Sequence, residues 1–125
     1  MKVLVTGGRD YKDYGVVAQE LAKLKPDTIV QGGATGADHL ARVWANANNV
    51  LCVTYPAQWK QHGKKAGYLR NKQMLEEEQP DLVLAFPGGK GTANMVKIAT
   101  DNNTAVQLAP LPSEQLMIGA YALQS

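Results

Sequence analysis

Five short apolar runs alternate with longer segments of helical periodicity, and this alternation limits the fold more than any single motif does. The runs at 2–6 (KVLVT), 28–31 (TIVQ), 50–55, 81–86 and 105–109 predict strands. The intervening pattern predicts helices over about 14–25, 36–48, 68–78 and 92–102. In the first helix Val17, Leu21 and Leu24 stand at i, i+4 and i+7, and Pro26 with Asp27 stops it. In the second, Ala37, Leu40, Ala41, Trp44 and Ala45 share one face. The stretch 56–67 shows little periodicity. Near-continuous apolar strands separated by helices require a parallel sheet covered on both sides. The predicted fold is therefore α/β, a Rossmann-like doubly wound parallel sheet of about five strands with helices on both faces. Residues 1–110 form this domain, and a tail at 111–125 packs on it or serves as an oligomer interface.

Composition narrows the function classes. A chain of 125 residues with 13 basic and 11 acidic side chains has a net charge of +2, too mild to demand a nucleic-acid partner. The single Cys52 excludes an internal disulfide and fits a reducing compartment; its apolar setting, VLCVTY, predicts a buried inert thiol. The opening MKVLVTGG does not read as a signal peptide, and no stretch approaches the roughly 20 apolar residues of a membrane span. The expectation is a cytoplasmic protein.

In an open parallel sheet, ligands bind beyond the carboxyl ends of the strands. Four unusual segments fall there: GGRD (Gly7, Gly8, Arg9, Asp10), GGATGAD (Gly32 to Asp38), the Trp59 segment, and PGGKGT (Pro87 to Thr92). Glycine lets backbone N–H groups approach a phosphate, and a helix N-terminus adds free donors and partial positive charge. Neither glycine cluster is a Walker loop or a G-x-G-x-x-G fingerprint. A plain turn with a Thr35 N-cap and an Asp38 capping-box partner is the structural alternative for the first cluster. From 60 to 72 there are Lys60, Lys64, Lys65, Arg70 and Lys72 with no acid, suited to neutralising an anion. Arg70 stands out because a cation near a helix start opposes the dipole, which a bound anion would explain. Trp59 either stacks on a nucleobase or plugs the core beneath its loop, whereas Trp44 belongs to the core. His39 and His62 lack ligand-spaced partners, so neither a metal site nor a cofactor is expected. No serine has a triad setting.

The ordered set VTGGRD, QGGATGADHLARVWA, PAQWKQHGKKAGYLRNKQM and FPGGKGTANM resembles the SLOG superfamily, named from its SMF/DprA and Lonely Guy members, and within it the YspA-type, cpYpsA-related branch. The resemblance covers about 1–110. It implies a Rossmann-like sheet that binds nucleotides or nucleotide-derived ligands. Members of the superfamily include enzymes that cleave the N-glycosidic bond of nucleoside monophosphates, sensors of ADP-ribose-like signals and single-stranded DNA binders. Lonely Guy enzymes carry an Arg-Lys pair before a Met; here RNKQM offers Arg70 with Asn71 in place of the Lys. Their PGGxGT loop is followed by glutamates, where this chain has Asn94 and Met95. Losing that carboxylate removes the group that offsets an oxocarbenium-like charge. Asp10 or Asp38 would have to replace it, which makes Arg70, Asp10 and Asp38 the catalytic candidates.

The expected function is therefore binding of a nucleotide or a phosphoribosyl or ADP-ribose-like ligand, as a sensor or sequestering module. Its ligand-binding residues would be Gly7, Gly8 and Arg9; Gly32, Gly33, Thr35 and Gly36; Trp59, Arg70 and Asn71; Pro87, Gly88, Gly89, Lys90, Gly91, Thr92 and Asn94. A nucleotide N-glycosidase is the alternative. A DprA-like DNA binder is disfavoured by the near-neutral charge. The superfamily and the apolar tail LMIGAYAL together point to a homo-oligomer.

Overall fold

A computed structural model describes residues 1–110; residues 111–125, on which the expected tail interface falls, lie outside the described part. The strands are β1 (Lys2–Thr6), β2 (Thr28–Gln31), β3 (Leu51–Thr54), β4 (Leu82–Ala85) and β5 (Ala105–Leu108). They form one parallel sheet in the order β3-β2-β1-β4-β5. The chain builds outward from β1 to β3, then crosses back to place β4 on the other side of β1. That reversal opens a crevice between β1 and β4 at their carboxyl ends, the usual ligand position in such sheets. The register pairs Thr6 with Ala85 and Gln31 with Thr54, so the loops leaving β1, β2, β3 and β4 emerge along one edge.

The helices are α1 (Tyr14–Leu24), α2 (Ala37–Ala47), the short α3 (Trp59–His62), α4 (Ala66–Glu78) and α5 (Lys90–Asp101). One layer packs Val17 and Leu21 of α1 and Ala41, Trp44 and Ala45 of α2 against Val3, Val5, Ile29 and Leu84. The opposite layer packs Met74 and Leu75 of α4 and Met95 and Ala99 of α5 against Leu4, Val30 and Val83. Alternate strand residues thus feed the two layers, which is why the central strands read as unbroken apolar runs. Each fully buried Leu or Ile contributes about 1.5–3 kcal/mol. The edge strands β3 and β5 are only half-buried, and Cys52 on β3 is half-buried as well.

Two helices begin earlier than their periodicity predicts. The aperiodic stretch 56–67 contains α3, a 3-10 turn (Gly63–Lys65) and the start of α4. None of the residues in α3 or the turn is buried, so no apolar stripe betrays them. No helix among the described residues is long and apolar enough to cross a membrane.

Candidate functional site

A cavity of about 360 Å³ opens at the crevice between β1 and β4. Its wall draws on the β1–α1 loop (Gly7, Gly8, Arg9), the β2–α2 loop and first turn of α2 (Ala34, Asp38), α3 and the 3-10 turn (Trp59, Lys64), α4 (Gly67, Tyr68, Arg70, Asn71) and the start of α5 (Gly89, Lys90, Gly91, Thr92). A second hollow beside it is lined by Gly32, Gly33 and Thr35 and shares Arg9, Ala34, Trp59 and Arg70. A third, outer hollow holds Asp10, Tyr11, Pro87 and Gly88. Asn94 lines none of the three; it lies in the groove between α4 and α5.

The glycines divide into two kinds. A Cβ on Gly36 would strike Gly8 O and Arg9, and Gly36 has φ +77, so this position serves the crossing of the β1–α1 and β2–α2 loops. Gly88 is pressed in the same way against Thr92 and the Gly7–Gly8 backbone, where Gly8 N donates to Pro87 O at 2.8 Å. Gly89 and Gly91 have open space around them at the N-terminus of α5. No side chain caps that helix, so its first N–H groups face the cavity mouth without a side-chain acceptor.

Asp38 does not make the capping box that its spacing to Thr35 predicts. The α2 N-cap is Gly36, with no side-chain cap bond. The Asp38 carboxylate instead turns back and accepts from Gly32 N at 3.1 Å and Ala34 N at 3.3 Å. Thr35 Oγ1 donates to Arg9 O at 3.2 Å, joining the two loops. Asp38 is 6% exposed. Burial pushes its carboxyl up to about 6, against the lowering pull of Ala34 N–H, Arg70, Gly32 N–H and Arg9.

Arg70 also departs from its expectation. It lies in the second turn of α4, past the unfavourable end of the dipole, so no bound anion is needed to explain its place. Its Nη1 donates to Gly32 O at 2.5 Å and to Tyr55 O at 3.3 Å, and its Nε donates to Asn71 Oδ1 at 3.0 Å. Burial lowers its pKa, Asp38 raises it, and Arg9 lowers it further. Gly32 leaves room for this guanidinium, which a Cβ there would force to shift. Asn71 is 4% exposed, and its Nδ2 donates to Gly91 O and to Asn94 Oδ1, both at 3.1 Å. It therefore ties α4 to the first turn of α5. The Asn94 oxygen is engaged in this contact.

Trp59 is 47% exposed and is not a core plug. The Arg9 guanidinium stacks over it, with Cζ 5.2 Å from the ring centroid. Met95 is fully buried beneath α5, packed in the core and pointing away from the cavity. Of the basic run, Lys64 and Arg70 line the cavity, while Lys72 pairs with Glu76 at 3.9 Å on the surface. Ala34, Gly67 and Tyr68 are wall residues the sequence reading does not single out; the only hint to Tyr68 is its place two residues before Arg70.

Fold and cavity together define a Rossmann-like α/β chain whose glycine loops enclose a cationic hollow at the topological switch point. The family described as "YspA, cpYpsA-related SLOG family" matches residues 1–62. The Gene 61 protein of Mycobacterium phage D29 is 39% identical over 110 residues, covering 78% of this chain and 87% of that protein. The chain belongs to this SLOG family. Among solved structures, the molybdenum cofactor binding protein from the phototrophic bacterium Rippkaea orientalis is similar in fold, with a TM-score of 0.65 at 20% identity, covering 95% of this chain and 83% of that one.

Proposed function

We propose that the chain binds a nucleotide or nucleotide-derived ligand, of phosphoribosyl or ADP-ribose-like type, and acts as a sensor or sequestering module. The observation that carries this reading is the convergence on one cavity of Arg9, Lys64, Arg70 and Lys90 with the uncapped α5 N-terminus and a half-exposed tryptophan. Cations and free N–H groups suit phosphate oxygens, and an indole face suits a base. The buried Asp38 carboxylate can accept from a ribose hydroxyl. The likeness to a molybdenum cofactor binding protein supports a small-molecule ligand only through the shared fold.

Calorimetric titration with nucleoside mono- and diphosphates and ADP-ribose tests the reading. Binding is expected for at least one, weakened about tenfold or more by Lys90→Ala with the fold intact. Failure of every ligand to bind would overturn it.

One observation favours a second reading, hydrolysis of the N-glycosidic bond of a nucleoside monophosphate. Asp38 is a cavity carboxylate whose pKa of about 6 suits a general base. Water would bond to the anomeric carbon as the C–N bond breaks, Asp38 would take the water proton, and the base would leave with the bond pair and be protonated from solvent. Free base released by the wild type and lost in Asp38→Asn supports it; none from a broad set of monophosphates rules it out.

A further inference from the structure

Arg9 occupies an unusual position for a cation at a ligand-sized cavity. It is exposed, and among the described residues its side chain makes no hydrogen bond and no ion pair; only its backbone carbonyl is engaged, by Thr35. Its guanidinium rests on the face of Trp59. Arg9 also borders the main cavity and both hollows beside it, so a swing in either direction keeps it within the site.

A planar ring stacks about 3.5 Å above an indole, so a ligand base and the Arg9 guanidinium cannot share that face. A base entering there must displace Arg9. The displaced guanidinium carries a fork of donors suited to phosphate, and where it stands it spends none of them on an ion pair among the described residues. A first phosphate would have its own partners in Lys90 and the open N–H groups of α5, which line the same cavity. A monophosphate carries about two negative charges at neutral pH, fewer than the cations lining the cavity. A second phosphate corrects that imbalance.

We infer that Arg9 is the specificity-determining residue for a diphosphate: the ligand's ring replaces it on Trp59, and the released guanidinium binds the second phosphate with Lys64. The inference rests on the nucleotide reading above and names the ligands that site prefers, nucleoside diphosphates and their esters over monophosphates.

The test titrates AMP and ADP into the full chain and into Arg9→Gln, following heat and tryptophan fluorescence. Trp44 is buried, so a ligand-dependent signal reports Trp59. Because Arg9 is exposed, Arg9→Gln should fold, as circular dichroism would show. The wild type should bind ADP about tenfold or more tighter than AMP, with a change in Trp59 emission. In Arg9→Gln the two affinities should come within about threefold of each other, with most of the loss falling on ADP. Equal affinities in the wild type, or an ADP preference that survives in Arg9→Gln, would overturn the role of Arg9 alone. Absence of binding by every nucleotide would instead sink the nucleotide reading and this inference with it.

Discussion

Asp38 keeps a carboxylate where an amide would satisfy the same backbone donors. Its pKa is raised from 3.8 to about 6, so folding favours the protonated acid. The sign follows: its contribution to stability is fully present below about pH 3.8 and is lost as pH rises through about 6. At neutral pH the difference corresponds to a cost of about 3 kcal/mol. Asn at this position can still accept from Gly32 N–H or Ala34 N–H without burying a charge. Asp38→Asn is therefore expected to stabilise the fold by about 1–3 kcal/mol at pH 7.5 and to change little at pH 4, read from urea unfolding at both. A variant less stable than wild type at pH 7.5 would show that the charge is held by Arg70 and Arg9 more firmly than burial opposes it. A carboxylate retained at such a cost fits a group kept for the ligand.

The loops and helix starts separate glycines that shape the scaffold from glycines with open space around them. Gly36→Ala puts a Cβ into Gly8 O at a residue with φ +77, and should cost about 2 kcal/mol or more by chemical denaturation. Gly91→Ala meets open space in the first turn of α5 and should be neutral or stabilise by up to about 1 kcal/mol. If a phosphate lies against that turn, the same Ala should weaken nucleotide binding about fivefold or more, since the methyl enters the approach to the backbone. The pair thus separates the two roles, Gly36→Ala losing stability and Gly91→Ala losing affinity. Unchanged affinity in Gly91→Ala would place the phosphate elsewhere in the cavity. Sequence alone does not make this division, because PGGKGT holds both kinds within four positions: Gly88 is pinned by Thr92 and the β1–α1 loop, while Gly89 and Gly91 are free.

Strand positions are legible because β1, β2 and β4 are apolar on both faces, and a parallel sheet then sends the loops to one edge. Contacts across that edge are not legible, since they depend on the strand order β3-β2-β1-β4-β5: Arg70 reaches Gly32 O across 38 positions, and the cavity wall at Lys64 and Tyr68 comes from a stretch with no periodicity or from its border. The same holds for the brace that ties the far end of α4 to the sheet. Lys2 Nζ donates to Glu78 O and to Glu78 Oε1, both at 3.1 Å, and Tyr55 Oη donates to Glu78 Oε2 at 2.5 Å. The Tyr55 hydrogen bond, with Lys2 adding to it, pulls the Glu78 carboxyl below its ordinary 4.5, and the same bond pushes Tyr55 up to about 12. Glu78 therefore contributes stability that is present above about pH 4.5 and lost as pH falls through its lower folded value. Asp38 acts in the opposite sense over 3.8 to about 6. Tyr55 contributes stability that is present below 10.0 and lost as pH rises through about 12. The whole molecule should accordingly be most stable on the acid side of neutrality. Glu78→Gln should lower stability by about 1–3 kcal/mol at pH 7 and flatten the acid limb, while leaving the decline between pH 4 and 7 that belongs to Asp38. Urea midpoints measured from pH 3 to 8 for wild type, Glu78→Gln and Asp38→Asn check both limbs. A wild-type profile that rises steadily to pH 8 would mean that Asp38 is not buried as a costly anion in the folded chain.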